Sequence, residues 1–196
     1  KGVDEITDRN FMPEKTKFYP IAAKEAWLKQ NAKAFHLLRQ GLKYPALYPP
    51  TISVHQQELL RDLARALAVE SHVRAARGDW SGAANSALDG LEFGYDIPRG
   101  GPLIAGLVGN AVQAISLHEM YRISPHLDAQ ASRQAAKRME LLYAERFPYF
   151  KTMQEEKWKG QAERLELMKE KSWRVKLVIT LSYPSRVIAL LQLVDR

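Results

Sequence analysis

The chain has 196 residues, 46% of them hydrophobic and 26% charged, and a net charge of +7. That is enough for one domain with a sizeable core, and too apolar a composition for wholesale disorder. There is no cysteine, which excludes disulfides, thiolate nucleophiles and cysteine metal sites.

The charge is uneven. Residues 1–50 sum to +4, residues 51–128 to −3 and residues 129–196 to +6. Basic ends around a mildly acidic middle favour contact with anionic membrane or nucleic acid; interleaved with glutamates, they equally describe a solvated surface. A chain that opens on Lys1 reads as a processed or trimmed product. An exported, periplasmic or membrane-anchored location with the signal removed is therefore expected, with the cytoplasm as the alternative.

Residues 1–20 show no clear period and hold two prolines, which predicts an extended lead-in lying on the domain through Phe11, Phe18 and Tyr19. A single helical domain is expected from 21 to 196. Ile21, Ala22, Ala26, Leu28, Ala32, Phe35, Leu38 and Leu42 recur at three and four, which predicts one helix over 21–43 with Trp27 and Phe35 toward the core. The prolines of KYPALYPP (43–50) end it and favour extended backbone. The next helix starts at a Thr51 or Ser53 cap and runs to about Arg77. Gly78 closes it and Asp79 caps another, which reaches about Tyr95 and is small-sided at Ala83, Ala84, Ala87 and Gly90. Such residues suit a tight antiparallel pair.

The loop 96–102 leads into the most apolar stretch, near 102–122. No charge lies between Pro102 and Leu117, and apolar residues occupy every side of the helical wheel. A helix of that kind is expected to be buried, as the centre of the fold. It is too short and too interrupted, at Gly106, Gly109, Asn110 and Gln113, for a membrane span. Ser124 and Pro125 close it. Asp128 caps a further helix with Ala131, Ala135, Met139, Leu142 and Phe147 on one face, and a last charged helix covers about 149–172. The apolar tail 175–194 reads as one or two packing helices broken at Pro184, with an interfacial helix, a membrane span and a dimer contact as alternatives.

Gly78, Trp80 and Ala83, followed by Ala87 and Gly90, resemble the turn between the two helices of a tetratricopeptide repeat. The resemblance covers 61–95. It departs from the pattern at Glu70 and Arg74, where large apolar residues belong, and no second copy follows. The stretches 25–42 and 76–91 also resemble uncharacterised, often exported, all-helical proteins of bacteria, a likeness that implies no activity. The expected fold is all-α, an irregular stack of six to eight antiparallel helices in tetratricopeptide-like hairpins around the helix near 102–122.

Catalytic and metal motifs are missing. The five histidines are far apart, no HExxH or GxSxG occurs, and Glu155–Glu156 lie on a lysine-rich helix. No cofactor, metal or catalytic residue is assigned. Arg99, Gly100 and Gly101 precede a helix N-terminus, a place that favours anions, although Pro102 removes one donor. Arg65 and His72 share a stripe with Ala68 and Ala75 on the first hairpin helix, and Asn110 and Gln113 are amides in apolar surroundings. Together these four are the expected lining of a groove. The leading expectation is a non-enzymatic scaffold domain that binds a protein or peptide partner there. The second is peripheral attachment to anionic membrane or nucleic acid through the basic ends. A helical enzyme comes third.

Overall fold

The computed structural model describes residues 19–48 and 54–170. Among them the protein is all-helical, with no strand. The helices are α1 (Ile21–Gln30), α2 (Ala32–Gly41), α3 (Val54–Ala76), α4 (Trp80–Asp96), α5 (Leu103–Ile123), α6 (Ala129–Glu145) and α7 (Tyr149–Glu170). The sequence predicts one helix over 21–43, but Asn31 divides it. The Asn31 side-chain amide donates to the Trp27 carbonyl at 2.9 Å, and its backbone leaves the helical region at ψ 11°. An asparagine that bonds its own backbone competes with the helix ladder in this way.

The helix starts follow the capping residues. Asp79 accepts from the Gly82 N–H at 2.8 Å and Asp128 from the Ala131 N–H at 2.7 Å. Gly78, at φ +80°, closes α3 in the left-handed conformation that an L side chain resists. Trp80, the aromatic of that turn, stacks on His126 with ring centroids 4.1 Å apart.

Helices α3, α4 and α5 pack against one another and form the centre; α1 packs on α3, and α6 on α4. The small residues predicted on α4 make this possible: Ala83, Ala84, Ala87 and Gly90 are all buried. Trp27 and Phe35 face inward as expected and meet edge to face at 6.3 Å over Leu67, Val69 and Val73. Tyr19 packs beside them.

Helix α5 differs from its expectation. Only one face is buried, along Ala105, Val108, Val112, Ser116, Met120 and Ile123. The other exposes Ile104, Leu107, Leu117 and Tyr121. A helix apolar all round carries no periodic signal of which side meets the core, so its neighbours decide.

Packing divides the chain into two compact units with the boundary between Met153 and Gln154, within α7. In the first unit, Thr152 is buried and sits with the Tyr149 ring beside Gly106 of α5. In the second, the described side chains of α7 are mostly exposed, as expected of its Lys- and Glu-rich surface. No helix among the described residues is long and apolar enough to cross a membrane. The tail 175–194, Phe11, Phe18 and the Thr51 and Ser53 caps lie outside the described residues.

Candidate binding site

The site is organised by the loop after α2. Prolines keep Lys43–Tyr48 from continuing the helix, and the loop lies across the turn between α4 and α5. The Tyr48 N–H donates to the Arg99 carbonyl at 2.7 Å, and the buried Gln57 side chain donates to the Tyr48 hydroxyl at 2.8 Å. The Arg99-Gly100-Gly101 turn is shaped to receive the loop. Gly100 has φ +71°, and a Cβ there would meet Leu47 Cδ1 at 2.5 Å; one on Gly101 would meet the Tyr48 ring at 2.9 Å.

Two clefts open beside the loop and share Leu42 and Asp96. The first, of about 300 Å³, is apolar and lined by Leu38, Leu42, Leu47, Tyr48, Leu60, Phe93 and Ile97, with Asp96 the one charged group among its described lining residues. The second, of about 350 Å³, is polar, with Lys43, Tyr44, Glu92, Tyr95, Arg99 and Glu145 on its walls. Its charges are largely paired. Arg99 donates to the Asp96 carboxylate at 2.8 Å and to the Glu145 carbonyl at 2.7 Å, and Arg138 holds Glu92 at 2.8 Å. Burial pushes the Tyr95 phenol above its ordinary value, against the pull of Arg146, so its hydroxyl keeps its proton. The pair of clefts suits an apolar side chain in one and polar atoms in the other. Neither offers a nucleophile beside a base, and no group of three potential metal ligands occurs among the described residues.

The residues singled out from the sequence fall elsewhere. Arg65, half-buried on α3, pairs with Asp62 at 2.7 Å. His72 is half-buried on the same helix, and its stripe neighbours Ala68 and Ala75 are buried. Ala75 packs in the cluster with Ala83 and Ala87, so that stripe is largely a helix-packing face. Gln113 donates to the Gly94 carbonyl at 3.1 Å, an internal bond between α5 and α4. Asn110 is exposed on the outer side of α5, which corrects its reading as a buried amide. None of the four lines either cleft. Arg99 does line the polar cleft, but its guanidinium and the Gly101 N–H, which donates to the Pro98 carbonyl at 3.1 Å, serve the protein's own turn. The signal for the clefts was present in KYPALYPP, where apolar residues sit on a stretch that cannot be helical. In comparisons with known proteins, no family model matches this chain, and no curated protein or solved structure does.

Proposed function

We propose that this chain is a helical recognition domain that binds a protein partner through an extended peptide segment. The observation that supports the reading is that an apolar cleft and a polar one share two lining residues, Leu42 and Asp96. A leucine-sized side chain seats among Leu38, Leu60 and Phe93, and the flanking main chain crosses Leu42 toward the Tyr95 hydroxyl and the carboxylates. Buried apolar anchors with a polar surround carry most recognition energy in such sites. The α3–α4 hairpin, with its glycine turn and small-sided second helix, supports the tetratricopeptide-like reading of the architecture. Binding without catalysis fits clefts whose ionised groups are largely paired already.

The test is a random-peptide selection on the full chain, followed by titration of the selected peptides. Peptides sharing a large apolar residue are expected, and Leu42→Asp is expected to weaken them at least about tenfold. Leu42 is half-buried and lines both clefts, so thermal unfolding of the variant verifies its fold. Peptides that bind Leu42→Asp as tightly as the native chain would remove the clefts as the site.

A further inference from the structure

We infer that a second copy of this chain covers the outer face of α5, in an antiparallel helix pair about a two-fold axis. The face is continuous. Ile104, Leu107, Ala111, Ala114, His118 and Tyr121 follow one another at three and four, so they form one stripe opposite the buried side. Leu107 is 52% exposed and Tyr121 81%.

The stripe is self-complementary. Its ends are large, its centre is small, and the profile reads similarly in both directions. With the axis between Ala111 and Ala114, Ile104 of one copy meets Tyr121 of the other, Leu107 meets Leu117 and His118, and Ala111 meets Ala114. The small centre lets the helices approach closely, and the bulky ends fill the widening gap. A two-fold contact requires this kind of self-matching patch.

Charge favours the same occupant. No charge lies between Pro102 and Leu117, and Arg122 beside the far end of the stripe is already paired with Glu119 at 2.6 Å, so the pairing brings no like charges together. A helix that docks on an anionic membrane carries Lys and Arg beside its apolar face, and this face lacks them over that span. The first turn of α7 brings the exposed Tyr149 ring beside Gly106.

Sedimentation equilibrium on the full chain tests the mass, and engineered cysteines test the geometry without interference, since the chain has none of its own. The expected result is a mass twice 22.3 kDa. Leu107→Glu is expected to raise the dissociation constant at least about a hundredfold, with helix content unchanged. Mild oxidation of a mixture of Ala111→Cys and Ala114→Cys chains gives a covalent dimer; the Ile104→Cys chain alone, with its thiols at opposite ends of the pair, does not. A chain monomeric at every concentration overturns the proposal, and so does a Leu107→Glu chain that pairs as the native one does. Cross-linking of Ile104→Cys without cross-linking of the mixture overturns the antiparallel arrangement. A monomer whose Ala114→Cys thiol resists maleimide assigns the face to another part of the same chain, and also overturns the proposal.

Discussion

Among the described residues, Lys24 is the one whose position departs furthest from its chemistry. It lies on α1, 1% exposed, within electrostatic reach of Glu119, itself 3% exposed, and of Arg122. Burial, and then the positive charge of Arg122, hold the Lys24 ammonium below its ordinary value of 10.5, against the opposite pull of Glu119. Glu119 has a second partner, the Arg122 guanidinium at 2.6 Å. A folded-state value below the unfolded one means that folding favours the neutral amine. Stability therefore rises as pH climbs through the folded value toward 10.5. Lys24→Met keeps the stem, removes the buried charge and leaves Glu119 paired, so it is expected to stabilise the chain by about 1 kcal/mol at pH 7 and to flatten the alkaline rise. Glu119→Gln leaves two cations side by side and is expected to cost about 2 kcal/mol. Urea unfolding at pH 7 and pH 9.5 measures both; a Lys24→Met chain weaker than native would show that the ammonium is net stabilising. A trace of this was legible in the sequence. Lys24 falls on the face of Trp27 and Leu28, where a charge interrupts the core stripe, but nothing in the local sequence identifies Glu119, 95 residues on, as its counter-ion.

At the scale of elements, the contact between α4 and α5 rests on close backbone approach. A Cβ on Gly109 would lie 2.7 Å from the Gly94 carbonyl oxygen and 2.9 Å from the Pro98 ring. Neither neighbour can give way without moving a helix, so Gly109→Ala is expected to cost about 2–3 kcal/mol. Gly90 makes a useful contrast. Its nearest obstacle is the Ser116 hydroxyl at 2.5 Å, the end of a side chain that can turn, so Gly90→Ala is expected to stay within about 1 kcal/mol of native. Gly160, with nothing within 4 Å, is expected to gain about 0.5–1 kcal/mol as Ala from helix propensity alone. Thermal unfolding ranks the three; a Gly109→Ala chain as stable as Gly90→Ala would mean that the helices slide apart freely. Small residues on α4, the Asp79 and Asp128 caps and the Gly78 stop were all readable, because each acts within a turn or two of chain. The buried side of α5 was not. Uniform apolarity erases the 3.6-residue signal, and Asn110, the polar mark on its outer side, reads equally well as a buried amide.

Across the molecule, a chain of ion pairs joins four helices. Arg39 on α2 binds Glu70 on α3 and, at 2.7 Å, Asp89 on α4; Asp89 accepts in turn from Arg138 on α6 at 2.7 Å. Ser86 donates to Glu70 at 2.9 Å, and Arg74 sits 3.4 Å from it. This explains the departure from the tetratricopeptide pattern at Glu70 and Arg74, for the position serves a cation arriving from α2 rather than an apolar neighbour. Partners 31 to 50 residues apart leave no local pattern, so the network was not legible before the fold. Burial pulls the Glu70 carboxyl upward, but hydrogen bonds from Arg39 and Ser86 and the charges of Arg39 and Arg74 outweigh it and hold the group below its ordinary value of 4.5. A depressed folded-state value means that the contribution is present above 4.5 and is lost as pH falls through the folded value. Glu70→Gln cannot make the ion pairs at any pH, and with Arg39 still held by Asp89 it is expected to cost about 1–2 kcal/mol at neutral pH. The gap between the two chains should close as acid protonates Glu70 in the native one. Urea midpoints from pH 7 down to pH 3 measure this, and native and Glu70→Gln curves that stay parallel throughout would show that the charge of Glu70 adds nothing to stability.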